Sequence, residues 1–275
     1  MPRLELDGFR LYYEVHGSGP AVVLLHGAGG NHLSWWQQLP ELSRSYTCII
    51  LSQRAFGLSP DSEDGPGRRA FAGDLVGLLD HLGIERVALV AHSMGGRTAA
   101  GFTLRLAPGR TWALVLSGTH GGVLTDESRG IQEGLRGRMD GRPLLQRALG
   151  AGFAERHPDL ALLYRQINRV NPPRPADFLA PIPGYIGSTR EGFNESGMPI
   201  LYVVGAEDEV VDPEVIRIAA AALDRAELAV IDAAGHSTYF EQPREFNRII
   251  LDFLDRHRPQ GEQAAPAARK RGRVT

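Results

Sequence analysis

Residues 87–100 read V-A-L-V-A-H-S-M-G-G-R-T-A-A, and this stretch decides the fold. Its first five residues form a continuous apolar run that predicts a buried β-strand, and the small residues after Met94 predict a helix that packs closely on a sheet. Ser93 therefore lies on the turn between the two elements. A turn this sharp needs small neighbours, and Ala91 and Gly95 stand two positions on either side of Ser93.

Ser93 has two interpretations. It is either a nucleophile held at the apex of the turn or an N-cap serine at the start of an ordinary helix, where serine is favoured. The pattern usually written for such a nucleophile is G-x-S-x-G, and this chain has Ala91 at the first glycine position. Because the turn requires small residues rather than glycine, this departure weakens the match only slightly. The stretch alone leaves both interpretations open.

The alternation of strand and helix continues on both sides of this stretch. A hairpin pattern covers residues 3–16, with Asp7-Gly8 at its turn. Further apolar runs predict strands at 21–25, 47–52, 87–91, 112–117, 200–204 and 227–231, and helical patterns lie near 34–44, 68–82, 94–107, 213–223 and 241–256. Strands rich in Val, Ile and Leu that alternate with helices predict an α/β fold, with a parallel sheet covered by helices on both faces.

The alternation stops after Gly122 and resumes near residue 200. Residues 123–197 contain three Arg-rich amphipathic stretches (128–139, 143–156 and 159–169), followed by a Pro-rich segment without a strand pattern. We therefore predict a core domain of residues 1–122 and 198–257, interrupted by a helical lid insertion over 123–197. The polar, Pro/Ala-rich residues 258–275 predict a disordered basic tail.

Composition restricts the class of protein. The chain has 275 residues, 43% of them hydrophobic, with a formal net charge of -2. Five of the basic residues lie in the last 18 positions beside one acidic residue, so the body is mildly acidic, which argues against nucleic-acid binding. Cys48 is the single cysteine, so no intrachain disulfide is expected. Without a secretory signal or a membrane-spanning apolar run, we expect a cytoplasmic protein that acts on a small molecule and does not bind membranes.

A serine nucleophile needs a base and an orienting acid, and residues far downstream offer both. His236 stands in the loop D-A-A-G-H-S-T-Y-F after the last predicted strand, at the sheet edge where such folds bind ligands. Asp208 follows the strand before it, 28 residues upstream, and Asp126 is a second choice. The alternative for Asp208 is a solvated acidic loop. Ser93, Asp208 and His236 have the chain order of one known class of sheet enzyme.

An earlier loop offers hydrogen-bond donors for a developing oxyanion. The sequence L-L-H-G-A-G-G-N-H follows the strand at 21–25, and its glycines free the backbone to aim an N–H inward. Ala28 is the expected donor from this loop, and the N–H of Met94, at the start of a helix, is the second. His26 is expected to brace the loop rather than to react.

Together these segments resemble the α/β-hydrolase superfamily, in particular its lid-bearing esterase, haloperoxidase and C–C hydrolase branch. The resemblance rests on the segments V-V-L-L-H-G-A-G-G, Q-R-A-F-G-L-S, V-A-L-V-A-H-S-M-G-G, V-V-G-A-E-D-E-V-V-D-P and A-A-G-H-S-T-Y-F-E-Q-P. It implies a mostly parallel eight-stranded sheet with a helical lid, and no metal or organic cofactor. It also implies that Ser93 is the nucleophile, Asp208 the acid and His236 the base, with Ala28 and Met94 as backbone oxyanion donors.

Two positions depart from the family pattern. Members often have Asp at the end of the fourth strand and Arg-Gly in the loop that follows, whereas this chain has Ser52 and Ala55 there. Both positions adjoin the expected pocket rather than the three catalytic candidates.

The function expected from these features is hydrolysis of a small or medium, partly apolar carboxylic ester, thioester or lactone through an acyl-enzyme. The same fold and residues also suit C–C bond hydrolysis, perhydrolysis, or a lyase or cyclase step, and a non-catalytic ligand-binding protein is a third alternative. Aromatic residues that are candidates for lining the pocket are Trp35, Trp36, Phe178 and Tyr185, although core packing explains them equally well.

Overall fold

Eight strands form one sheet. They are β1 (Arg3–Leu6), β2 (Phe9–His16), β3 (Ala21–Leu25), β4 (Thr47–Leu51), β5 (Val87–His92), β6 (Thr111–Ser117), β7 (Ile200–Gly205) and β8 (Ala226–Ile231). The computed structural model describes residues 3–6, 8–137, 141–175, 177–180, 182 and 189–259. The spatial order is β1-β2-β4-β3-β5-β6-β7-β8. The β1/β2 and β2/β4 pairs are antiparallel and the other five pairs are parallel, which confirms the predicted fold class.

Helices cover both faces of the sheet. They are α1 (Leu39–Leu42), α2 (Phe71–His81), α3 (Gly95–Gly101), α4 (Asp126–Gly137), α5 (Leu144–Arg147), α6 (Phe153–Arg156), α7 (Pro158–Arg169), α8 (Arg190–Ser196), α9 (Pro213–Ala221), α10 (Thr238–Glu241) and α11 (Pro243–Arg256). Within the described ranges, no helix has both the length and the apolar character that crossing a bilayer requires.

Each face of the sheet has its own hydrophobic core. On one face, buried residues of α2, α3 and α9 such as Leu78 and Ile216 pack against strand side chains. On the other face, α11 contributes Phe246 and Phe253 to a second cluster. Strands β3 to β6 are buried along their whole length, as expected for parallel strands covered on both sides.

Two helix predictions were wrong in detail. The helix expected over 34–44 is a short 3₁₀ turn at His32–Trp35 followed by the one-turn α1, which has a proline in its first turn. The stretch 143–156 is divided into α5 and α6, because α5 ends after one turn at Arg147 and the left-handed Gly152, with φ 68°, stands directly before the start of α6.

The segment between β6 and β7 contains α4 to α8 and, among its described residues, no strand. It packs on the carboxyl ends of the strands, since Asn31 Nδ2 donates to the Ile167 carbonyl at 2.7 Å and Asn168 Nδ2 donates to the Gly29 carbonyl at 3.1 Å. Beyond residue 259, the predicted basic tail lies outside the described residues.

Candidate active site

Ser93 occupies a strained turn between β5 and α3. Its φ is 50°, in the left-handed region that a residue with a side chain rarely adopts. A Cβ atom at Gly95 would lie 2.5 Å from the Leu25 carbonyl oxygen, so α3 approaches β3 too closely for any larger residue. The N-cap position of α3 belongs to Met94 rather than to Ser93, and no side-chain hydrogen bond caps this helix among the described residues. The geometry therefore favours an apex residue over an N-cap serine.

His236 and Asp208 meet at the carboxyl ends of the last two strands. The two side chains are buried, and the His236 Nδ1 atom lies 2.8 Å from Asp208 Oδ2. The backbone N–H groups of Val210 and Val211 donate to Asp208 Oδ1 at 2.8 and 2.9 Å, which fixes the carboxylate against the ring. Asp126, the second choice, is exposed at the first turn of α4.

The Ser93 turn and the His236 ring lie at the same sheet edge. Ser93 N–H donates to the Ser117 carbonyl at 2.8 Å, and a Cβ atom on the next residue, Gly118, would lie 3.0 Å from the His236 ring. The rings of His92 and His236 have centroids 4.7 Å apart. Within the described part of the chain no hydrogen bond joins Ser93 to His236, and bonds of this kind often tighten only around a substrate.

The loop after β3 approaches Ser93 from the other side. A Cβ atom on Gly27 would lie 3.1 Å from the Ser93 Cβ atom, so the backbone passes directly beside the turn. Ala28 and Met94, the two predicted oxyanion donors, pack in the same small cluster around Phe56 and Phe71. Among the described residues neither backbone N–H donates to a carbonyl, so both remain available to a ligand.

A neutral hydrogen-bond network supports this loop from inside. Gln53 N–H donates to His26 Nε2 at 3.0 Å, and its side-chain amide donates to the His26 carbonyl at 2.8 Å. Thr98 Oγ1 donates to Gln53 Oε1 at 2.6 Å. Burial lowers the pKa of His26 to about 4, so the ring is neutral and its Nδ1–H is left to donate to the Gly27 carbonyl at 2.8 Å. The geometry agrees with the expected bracing role of His26.

Sequence reasoning missed Glu241, which braces the His236 loop. Its buried carboxylate accepts the N–H of Gly150 at 2.6 Å and the N–H of Gly235 at 3.0 Å. Burial raises the pKa of Glu241 to about 7, with smaller contributions from the negative charges of Asp208 and Glu207. The residue belongs to the F-E-Q-P segment of the family resemblance, but no local pattern indicates that its partner lies 91 residues away.

The candidate pocket aromatics occupy different places. Trp35 is fully buried and its ring lies 4.8 Å from that of Tyr239, so it packs behind the site, whereas Trp36 is 42% exposed at the surface. Phe178 lies 5.7 Å from Phe56 and lines a cavity that also includes Ala28. Tyr185 lies outside the described residues.

Both departures from the family pattern have local consequences. Ser52 Oγ lies 2.7 Å from His32 Nδ1, so a neutral pair stands where members often have Asp. Ala55 adopts φ 66°, a conformation that the glycine of the usual pattern would occupy without strain.

Comparison with known proteins confirms the family resemblance and the fold. The α/β-hydrolase fold family matches residues 20–243, and the chain belongs to that family. The chain is 29% identical over 277 residues to the 2-hydroxymuconate semialdehyde hydrolase of Pseudomonas sp. (strain CF600), covering 90% of this chain and 91% of that protein. It is also 29% identical over 258 residues to the dihydrolipoyllysine-residue acetyltransferase component of the acetoin cleaving system of Cupriavidus necator, covering 91% and 68%. A thermophilic esterase structure from Thermogutta terrifontis superposes with a TM-score of 0.77 at 25% identity, covering 94% of this chain and 100% of that one.

Proposed function

We propose that this protein is a serine hydrolase that cleaves a small or medium, partly apolar ester, thioester or lactone. One observation carries the proposal: the hydrogen-bonded Asp208–His236 pair lies at the same sheet edge as Ser93, which is held in a strained turn. Strained backbone and buried acid–base pairs cluster at catalytic sites.

Each residue then has one chemical role. His236 takes the proton of Ser93, and Ser93 Oγ attacks the substrate carbonyl, so that the oxyanion is held by the N–H groups of Ala28 and Met94. Collapse of this intermediate expels the alcohol or thiol, which receives the proton from His236, and leaves an acyl-enzyme. His236 next activates water, which releases the acid and restores Ser93. Asp208 holds the His236 tautomer throughout.

Residues 123–197 would form a lid over this edge, with a Phe178-lined cavity of ≈ 420 Å³ beside Ala28 as the substrate pocket. A cavity of this size and its mixed apolar and polar lining suit a small-molecule substrate. We place the reaction in the cytoplasm, where the single, buried Cys48 would remain a thiol.

A fluorophosphonate reaction followed by mass spectrometry tests the proposal. We expect one adduct, on Ser93, together with turnover of activated esters that is lost in Ser93→Ala. The exposed Ser62 provides the matched control, and Ser62→Ala should retain both adduct and turnover. Unchanged ester turnover in Ser93→Ala, with no adduct on Ser93 in the wild type, would contradict the proposal.

C–C bond hydrolysis is the second candidate. It is favoured by the similarity to a protein whose named substrate, 2-hydroxymuconate semialdehyde, contains no ester. An adduct on Ser93 without turnover of any ester in a panel of rising acyl length, together with cleavage of a conjugated keto acid, would favour this second reaction.

A further inference from the structure

Arg174 lies beside the loop that carries a predicted oxyanion donor. It stands between Pro173 and Pro175, and its guanidinium lies 4.1 Å from the centre of the Phe56 ring. Its Nη2 atom lies 3.5 Å from the Ala28 carbonyl oxygen and its Nη1 atom lies 3.4 Å from that of Ala55. These two contacts are at the long end of hydrogen bonding, so most of the donor capacity of the guanidinium remains unused.

No carboxylate in the described residues pairs with Arg174. Arg54 is the informative contrast, because it also lies over a ring, at 3.7 Å from the centre of Phe9, but binds both Asp74 and Asp61. Burial lowers the pKa of Arg174, since desolvation disfavours the charged form and no anion compensates for it. A partly buried cation without a partner is costly, and such groups are typical of sites that bind a charged ligand.

The guanidinium borders the cavity that the proposed function assigns to the substrate. The cavity of ≈ 420 Å³ is lined by Ala28, Gly29, Leu145, Asn168, Arg174 and Phe178, among others. The oxyanion loop thus contributes to the lining of the same cavity as Arg174, together with apolar side chains such as Leu145 and Phe178. A ligand whose carbonyl lies against the Ala28 N–H can therefore place a second group next to Arg174.

The backbone around Arg174 is well anchored. Asn171 Oδ1 accepts hydrogen bonds from the Gly57 N–H at 2.8 Å and from Asn31 Nδ2 at 3.2 Å, which ties this segment to the core. The flanking prolines restrict φ and reduce the conformational freedom of the chain. The backbone at Arg174 is therefore restrained before a ligand arrives, and the Phe56 ring lies against the guanidinium.

We propose that Arg174 binds a carboxylate of the substrate, so that the protein prefers esters with an anionic acyl end, such as half-esters of short dicarboxylic acids. This proposal rests on the proposed function for the reaction but adds the substrate class. A planar guanidinium accommodates a carboxylate through two parallel N–H···O bonds, which explains the use of arginine rather than lysine.

Two matched substrates test the proposal. They are the mono-4-nitrophenyl ester of glutaric acid and the 4-nitrophenyl ester of methyl glutarate, which differ only in the charged end. We expect the wild type to prefer the anionic ester, and Arg174→Gln to lower kcat/KM for it by roughly 10- to 100-fold, mainly through KM, with less than about a 3-fold change for the neutral ester.

Arg165 provides the matched control, because it is an exposed arginine of α7 that does not line this cavity. Arg165→Gln should leave the ratio of kcat/KM between the two substrates nearly unchanged, as water screens an exposed charge. The proposal would be overturned if both variants lost kcat/KM for the anionic ester to the same extent, or if the wild type preferred the neutral ester. If Arg174→Gln does not fold, Arg174→Lys decides the matter, since it keeps the charge but loses the two-point geometry and should lower kcat/KM for the anionic ester alone.

Binding separates this proposal from the proposed reaction. Calorimetric titration of the Ser93→Ala variant with glutarate should show binding that is lost in the Ser93→Ala/Arg174→Gln double variant. Arg174-dependent binding without hydrolysis of either ester would leave the anion site standing and contradict ester hydrolysis. Hydrolysis of both esters without Arg174-dependent binding would overturn the anion site alone.

Discussion

The two sides of the candidate site are braced by different chemistry. On the serine side, the loop beside the turn is supported by His26, Gln53 and Thr98, which are all buried and neutral. On the histidine side, the loop is supported by two buried carboxylates, Asp208 and Glu241. Burial raises the pKa of Glu241 to about 7, whereas His26, with a pKa of about 4, stays neutral near physiological pH. The serine side should therefore hold its geometry across pH values at which the histidine side changes.

The largest expected effect is on the histidine side. Asp208→Asn should lower kcat by roughly 10⁴-fold, because the amide N–H₂ would face the ring Nδ1 and favour the wrong tautomer of His236. Steady-state kinetics with an activated ester measure this loss. Asp126→Asn, at the exposed alternative position, should retain wild-type kcat, and a comparable loss in both variants would break the assignment.

On the serine side, Gln53→Ala should reduce stability by ~3 kcal/mol, because the His26 carbonyl and the Thr98 hydroxyl would be left buried without partners. Denaturant unfolding measures this change. The pH profile of the remaining activity should keep its shape, since no ionisable group is removed. A shifted pH profile of activity would show that a charged group on the serine side contributes to catalysis. Gln166→Ala, at an exposed position of α7, serves as the control and should leave stability unchanged.

Glu241→Gln sharpens the comparison through pH. A carboxyl whose folded pKa is raised to about 7 binds a proton more readily in the native state than in the unfolded chain. Its contribution to stability is therefore present below the unfolded pKa and is lost as pH rises toward 7. The stability of wild type relative to Glu241→Gln should fall by on the order of 2 kcal/mol between pH 5 and pH 8.

Unfolding curves of both proteins across this range measure the difference. A constant difference would mean that Glu241 is ionised throughout, and that its two N–H donors outweigh the cost of burying its charge. Glu245→Gln, at an exposed carboxylate of α11 paired with Arg248, should show no comparable trend.

The smallest expected effect concerns backbone strain on the serine side. Ala55→Gly should stabilise the protein by about 0.5 kcal/mol, because relief of the left-handed strain at φ 66° exceeds the entropy that glycine gains in the unfolded chain. Thermal unfolding measures the shift. Ala99→Gly, in the helix α3, should destabilise instead, and a loss of stability at both positions would show that strain at Ala55 is unimportant.

Much of the fold was predictable because its signals are local. Apolar runs of strand length and the helical patterns between them predicted the parallel sheet, and the small residues around Ser93 predicted the sharp turn. Chain order then led to Asp208 and His236, which the structure places in hydrogen-bond contact. The amphipathic pattern over 143–156 did not reveal the break between α5 and α6, because helical periodicity does not report backbone conformation at single positions such as the left-handed Gly152.

The sequence by itself determined the strand and helix order, the turn at Ser93 and three candidate catalytic side chains, since each depends on residues close together in the chain or on their order. Only the tertiary structure decided how those side chains are braced and which charges lack partners. The Glu241 contact with Gly150 and the approach of Arg174 to Ala28 join positions 91 and 146 residues apart. Such contacts depend on how the segment between β6 and β7 packs on the sheet, and no local pattern encodes that packing.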